Sequence, residues 1–160
     1  AYHEPDDDAN QSRFHDGWLR TGDVARIRPD GSLELVDREK DLVKSGGEWI
    51  SSLDLERALV SHPDVAEAAV IAVPHERWGE RPAALIVPAK DARPDPEEIR
   101  AFLGRNIASW WLPEVIEIVA DLPKTAVGKY DKRRLREEHA ARLATVLKSA
   151  RTPIEQGATR

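Results

Sequence analysis

The stretch Glu67-Ala68-Ala69-Val70-Ile71-Ala72-Val73-Pro74-His75-Glu76-Arg77-Trp78-Gly79-Glu80-Arg81-Pro82-Ala83-Ala84-Leu85-Ile86-Val87 decides the fold class. It holds two mostly apolar runs, residues 67–73 and 83–87, on either side of a polar segment. Such runs read as two buried strands, and residues 75–82 read as the loop that joins them. On the N-terminal side, Ser51 with Asp54 three residues later approaches a capping box and predicts a helix. That helix runs to about Ser61 and stops before His62-Pro63. On the C-terminal side, Asp95-Pro96-Glu97-Glu98 supplies a cap, a proline in the first turn and acidic residues behind it. Ile99, Phe102, Leu103 and Ile107 continue at helical spacing. Residues 115–119 form a third short strand, and Asp131 caps a last helix kept in register by Leu135, Leu143 and Leu147. The order helix, strand, strand, helix, strand, helix predicts an α+β fold, with helices covering a short mixed sheet.

Further upstream, residues 24–28 and 32–36 read as two short alternating runs of apolar and polar residues, with Pro29-Asp30-Gly31 between them. This reads as a β-hairpin. Asp37-Arg38-Glu39-Lys40-Asp41 is a charged break that reads as a linker between two bodies. Residues 1–16, with Asp6-Asp7-Asp8, read as a solvated loop or frayed end, and the triple aspartate as a charge cluster rather than a metal site.

Bulk composition narrows the function classes. A chain of 160 residues holds one ordinary domain, or a small domain with an appendage. Its 41% hydrophobic content is enough for a real core. A net charge of -5 argues against a general nucleic-acid binder. The absence of cysteine excludes disulfides, thiolate metal sites and thiol nucleophiles, and fits a reducing cytoplasm. No apolar run approaches the roughly 20 residues that span a bilayer. There is no methionine, so the chain is expected to be a piece of a longer product.

Four features carry candidate chemistry. In Gly17-Trp18-Leu19-Arg20-Thr21-Gly22-Asp23, a carboxylate stands at a fixed loop position before a strand, suited to the paired hydroxyls of a ribose. In the charged break, Arg38 offers a planar fork for phosphate or ribose oxygens. In Val43-Lys44-Ser45-Gly46-Gly47-Glu48-Trp49-Ile50-Ser51, paired glycines let the backbone approach a ligand, and Trp49 can wall an apolar channel. In Leu122-Pro123-Lys124-Thr125-Ala126-Val127-Gly128-Lys129, a tight turn carries two lysines, and Lys132, Arg133, Arg134 and Arg136 follow. A flexible ammonium there suits an oxygen whose charge grows during reaction. Taken singly, each has an ordinary alternative: a turn, a solvated linker, a core tryptophan, a surface lysine.

In order, the set Thr-Gly-Asp, Asp-Arg-x-Lys-Asp, Lys-Ser-Gly-Gly-Glu and Pro-Lys-Thr-x-x-Gly-Lys resembles the C-terminal part of the adenylate-forming superfamily. That superfamily includes acyl-CoA synthetases, luciferases and peptide-synthetase adenylation domains. The resemblance covers roughly residues 14–140. Lys-Ser-Gly-Gly-Glu-Trp-Ile-Ser-Ser (44–52), Val-Pro-His-Glu-Arg-Trp-Gly-Glu-Arg-Pro (73–82) and Trp-Trp-Leu-Pro (110–113) look most like medium- and long-chain fatty-acyl-CoA synthetases.

The resemblance implies a division into residues 1–39, the tail end of a large AMP-binding domain, residues 40–145, a small mobile domain, and a tail at 146–160. It implies ATP with Mg2+, CoA and a small carboxylic acid as substrates and ions of an intact enzyme, with adenylation of the acid followed by thioester formation. By the same resemblance, Asp23 holds the ribose hydroxyls, Arg38 lies near ribose and phosphate, and Lys40 occupies the hinge, where some relatives carry Asp. Lys129 contacts the carboxylate and the α-phosphate during adenylation. Ser45, Gly46, Gly47, Glu48 and Trp49 line the pantetheine passage, with Lys44 beside them. No metal ligand is assigned to the chain itself. The superfamily's phosphate loop and acyl pocket lie upstream and do not occur here, so the chain alone is expected to be inactive without its N-terminal domain. A ligase for aryl or short-chain acids and a non-catalytic nucleotide- or CoA-binding module are the alternatives, and homo-oligomerisation of the intact enzyme stays open.

Overall fold

The computed structural model describes residues 13–149, which divide between Lys40 and Asp41 into two compact bodies.

The first body is built from two hairpins. Strands β1 (Phe14–His15) and β2 (Trp18–Leu19) pair antiparallel across Asp16-Gly17. Both turn residues have positive φ, 49° and 80°, the backbone of the two-residue turn that matches strand twist. Strands β3 (Asp23–Ile27) and β4 (Leu33–Arg38) form the hairpin expected from the alternating pattern, with a bulge between Val24 and Ala25. Its turn is tied by Asp30 Oδ1, which accepts from the Ser32 N–H at 3.0 Å and the Ser32 hydroxyl at 2.6 Å. Those bonds hold the Asp30 carboxyl below its ordinary pKa, the hydroxyl bond contributing most. Ile27, Leu33 and Leu35 are left exposed, so this body has little core of its own.

The second body carries the core. Strands β5 (Val43–Ser45) and β6 (Glu48–Ile50) make a tight hairpin around the glycine pair, which the sequence reading had not assigned to strands. Helix α1 (Ser52–Val60) follows, its N-terminus capped by Ser51 Oγ accepting from the Asp54 N–H at 3.1 Å. Strands β7 (Val65–His75) and β8 (Gly79–Pro88) form a long antiparallel hairpin. The expected loop at 75–82 is therefore shorter. Arg81 and Pro82 lie inside β8, because pairing with Val73 and Ala72 extends both strands past their apolar runs. Helix α2 (Pro96–Leu103) starts on the Asp95 cap as expected but ends at Gly104. Ile107 lies beyond the helix and still packs on the core. A short helical turn (Ser109–Trp111) leads into β9 (Val115–Ile118), which pairs with β8 in parallel. Helix α3 (Lys132–Ser149) closes the described chain; its N-terminal turn is capped by Asp131, and it runs past the expected boundary at 145.

The sheet order is β6-β5-β8-β7, with β9 on the β5 side of β8. Alternation along β7 and β8 divides the core in two. Val70, Ala84 and Ile86 face α1 and α2, together with Leu55, Leu59, Ile99 and Leu103. Ala69, Ile71, Val73, Ala83 and Leu85 face the other way, under Leu135, Leu143 and Leu147 of α3. The result is the expected mixed sheet between helices. Each fully buried leucine or isoleucine contributes about 1.5–3 kcal/mol of apolar burial, which makes this body a rigid carrier for whatever its loops present.

Candidate functional site

In the first body, Asp23 and Arg38 are partners across the β3–β4 ladder. Arg38 Nε donates to Asp23 Oδ1 at 2.8 Å, and the Asp23 N–H donates to Thr21 Oγ1 at 3.1 Å. The structure thus brings together the two residues expected at ribose and phosphate. A carboxylate acceptor and a planar donor stand side by side at one end of a hairpin. Lys40 closes this body as an exposed residue.

In the second body, residues 44–49 form the β5–β6 hairpin and its turn. Gly46 and Gly47 have φ of 59° and 89°. A Cβ on Gly46 would lie 2.8 Å from the Trp78 ring, so that position takes only glycine. The hairpin meets β8 through a single ladder pair, Ser45 with Gly79. Two further bonds reinforce it: the Gly46 N–H to the Trp78 carbonyl at 2.9 Å, and the Lys44 N–H to Glu80 Oε2 at 2.8 Å. Outward, Lys44 Nζ lies 4.7 Å from the Trp49 ring centre, a cation–π contact on a tryptophan that stays 50% exposed. Glu48 is exposed. Ser45 is buried, and its hydroxyl accepts from Arg81 Nη1 at 3.0 Å.

Lys129 sits on the shoulder of a pinned turn. The Thr125 carbonyl accepts from the Gly128 N–H at 2.9 Å, and the Lys129 carbonyl accepts from the Thr125 N–H at 2.7 Å. Gly128 supplies the positive φ, 81°, that closes the turn. Beneath it, Lys124 pairs with Tyr130 as an isolated bridge, and Lys124 Nζ reaches Glu67 Oε1 at 2.7 Å. That hydrogen bond is the main reason the Lys124 pKa is raised. Burial, then the Glu67 carboxylate, raises that of Tyr130. The two lysines of the loop therefore differ. Lys124 is tied to the sheet, whereas Lys129 is exposed and makes no ion pair with a described residue.

The hairpin and the lysine turn are attached to opposite ends of the same strand pair. Ser45 stands opposite Gly79, and Glu67 opposite Val87. Positions 79 and 87 are about 26 Å apart along a strand rising about 3.3 Å per residue.

Residues 54–129 match the family described as AMP-binding enzyme C-terminal domain. This segment is an AMP-binding enzyme C-terminal domain. Over 125 residues the chain is 50% identical to the long-chain-fatty-acid–CoA ligase of Thermus thermophilus, covering 78% of this chain and 23% of that protein. It is 48% identical over 129 residues to the 3-methylmercaptopropionyl-CoA ligase of Ruegeria lacuscaerulensis, covering 81% and 24%. Among solved structures it superposes on an amide bond synthetase from Marinactinospora thermotolerans with a TM-score of 0.77 at 37% identity, covering 84% of this chain and 28% of that one. The chain thus spans about a quarter of the length of the relatives it matches.

Two features of this AMP-binding C-terminal domain escaped the sequence. Arg81 is buried, although it had been assigned to a loop. Its guanidinium donates to Ser45 Oγ, the Trp110 carbonyl, the Leu112 carbonyl and Glu114 Oε1, at 2.7 to 3.1 Å. Glu56 and Lys132 form a nearly buried ion pair at 2.7 Å, and Lys132 also donates to Ser52 Oγ at 2.7 Å. Glu56 Oε1 further accepts the Val70 N–H at 2.8 Å, which satisfies a donor on the edge strand β7. The one available signal was a charge among buried neighbours, which is stable only when paired. Among the described residues, no group of three or more His, Cys, Asp or Glu is placed to hold a metal, and no helix is long and apolar enough to cross a membrane.

Proposed function

We propose that this chain is the C-terminal part of an ATP-dependent acyl-CoA ligase acting on fatty acids, and that it is inactive without the large N-terminal AMP-binding domain, of which residues 1–39 are the tail end. The observation that carries the reading is the pair of surfaces at opposite ends of one rigid strand pair: an exposed lysine, with no ion pair to a described residue, on a pinned turn, and a glycine-turned hairpin bearing Trp49. A domain rotating about Lys40 would offer one surface to each half-reaction.

In the first half-reaction a carboxylate oxygen attacks the α-phosphorus of ATP, the bond to the leaving pyrophosphate breaks, and an acyl-adenylate forms. Both reactants are anionic. An ammonium about 4 Å from them, at an effective dielectric near 20, is worth about 4 kcal/mol. Lys129 supplies that charge. Asp23 accepts from the ribose hydroxyls, and Arg38 donates to ribose and phosphate oxygens. In the second half-reaction the thiol of CoA attacks the acyl carbon and AMP leaves. Residues 44–49 line the path of the pantetheine arm. Mg2+ bound with the nucleotide would screen its phosphates.

The fatty-acyl assignment rests on the motifs at 44–52, 73–82 and 110–113 and on the Thermus relative. The Ruegeria relative is named for a different acid, so short-chain or aryl acids are the second reading. Pyrophosphate exchange tests the proposal. The chain alone gives none, and the chain joined to its N-terminal domain gives exchange that is strongest with medium- and long-chain acids. Exchange by the chain alone overturns the division of labour, and preference for aromatic or short acids overturns the substrate. Nucleotide or CoA binding by calorimetry, with no exchange from the joined protein, would make it a binding module instead.

A further inference from the structure

Strand β8 has a gap along one edge. Strand β5 pairs with it at Gly79, and β9 pairs with it from Ala83 onward. Arg81 lies between those two points, 7% exposed, and its side chain fills the gap. Nε donates to Glu114 Oε1 at 2.7 Å, Nη1 to Ser45 Oγ at 3.0 Å and to the Trp110 carbonyl at 2.7 Å, and Nη2 to the Leu112 carbonyl at 3.1 Å. One guanidinium therefore joins the β5–β6 hairpin to residues 110–114. From below, Arg100 Nη2 donates to the Glu114 carbonyl at 2.6 Å and steadies the same segment. Val43 and Ile50 root the hairpin in the core, but its outer end, residues 44–49, meets β8 through one ladder pair and the few bonds around it. Of these, the bond from Arg81 is the one that holds the hairpin to a second segment. Lysine cannot replace it, because a point ammonium does not reach acceptors on three sides in fixed planar geometry.

We propose that Arg81 is a positioning residue for the thioester-forming half-reaction: it locks the β5–β6 hairpin to residues 110–114, so that the surface offered to CoA is held in one shape before CoA arrives. Arg81 itself touches neither CoA nor the acyl group. Without it the hairpin must be ordered at the moment of binding, which weakens CoA binding and leaves the Lys129 turn, anchored at the far end of the strands, unchanged. The inference rests on the ligase reading above.

The test uses the chain joined to its N-terminal domain, with Arg81→Lys, Arg81→Met and Glu114→Gln. Pyrophosphate exchange reads adenylation, and CoA-dependent release of AMP from supplied acyl-adenylate reads the second step. The expected result is a KM for CoA raised about tenfold or more in Arg81→Lys, with exchange within about twofold of the parent. Glu114→Gln, which keeps the shape and removes only the charge, moves the same KM by a smaller factor. Should Arg81→Met fail to fold, the other two variants carry the test. An unchanged KM for CoA in Arg81→Lys and Glu114→Gln overturns the inference, as does equal loss of exchange and thioester formation. A parent protein that shows exchange but no CoA-dependent step overturns the ligase reading itself, and the role of Arg81 with it.

Discussion

Replacing Lys129 by alanine separates catalysis from stability. The side chain is exposed and makes no ion pair with a described residue, and the main-chain bond from Thr125 to its carbonyl does not need the side chain. Nothing that holds the fold is removed, so the change in unfolding free energy is within about 0.5 kcal/mol. On the proposed role, the change in adenylation should be large. Loss of one preorganised charge-stabilising donor costs about 2.7–4 kcal/mol, or about 10²–10³ in rate. The joined enzyme is assayed by pyrophosphate exchange, by thioester formation from supplied acyl-adenylate, and by thermal unfolding. Exchange should fall by that factor while the other two readouts stay close to the parent. Lys124→Ala serves as the contrast, because Lys124 is bonded to Glu67 at the foot of the loop. It should loosen the turn and reduce exchange far less than loss of Lys129. Equal loss in both half-reactions, or a fall in unfolding temperature that accounts for the lost exchange, would refute the assignment.

Three further outcomes follow from the packing. Lys132→Met removes the countercharge of the nearly buried Glu56 carboxylate and should cost about 3–5 kcal/mol in denaturant unfolding. Adding Glu56→Gln, which keeps an acceptor for the Val70 N–H, should recover most of that loss; strict additivity would mean the pair does not interact. Gly46→Ala should destabilise by about 1–2 kcal/mol from the left-handed backbone alone, and by more from contact with Trp78. Gly47→Ala meets open space and should show only the backbone part; matching losses would place the Trp78 contact in error. Tyr130 has a raised pKa in the folded state, chiefly from burial. The folded chain therefore holds that proton more tightly than the unfolded chain, and the associated stability is present below the ordinary tyrosine value and lost as pH rises through the folded one. Unfolding measured above about pH 10 should show a decline that Tyr130→Phe reduces, the remainder including Lys124, whose pKa is also raised in the folded state.

Much of this was legible along the chain. The Ser51 and Asp95 caps, the apolar runs around Val70 and Leu85 and the spacing of Leu135, Leu143 and Leu147 are local or periodic signals. The elements they predict are present. The motif order gave Asp23, Arg38 and Lys129 as candidates, and the ladder places the first two side by side. The β5–β6 hairpin was not legible, because three-residue strands around Gly46-Gly47 are too short to show a period and are fixed by pairing. Arg81 was hidden because its strand begins in polar sequence, where only the partner strand reveals that it is extended.

The sequence by itself determined the helix caps, the long apolar strands and the leucine spacing of the last helix, since these depend on neighbours within a turn or two, and it put Lys129 forward as a candidate through the order of its motifs. Tertiary structure decided which charges are buried and what they hold. Arg81 reaches Ser45 from 36 residues away, and Lys132 reaches Ser52 from 80. A charge is stable in the interior only when a partner stands within bonding distance. That condition depends on the folded geometry, so spacing along the chain cannot reveal it.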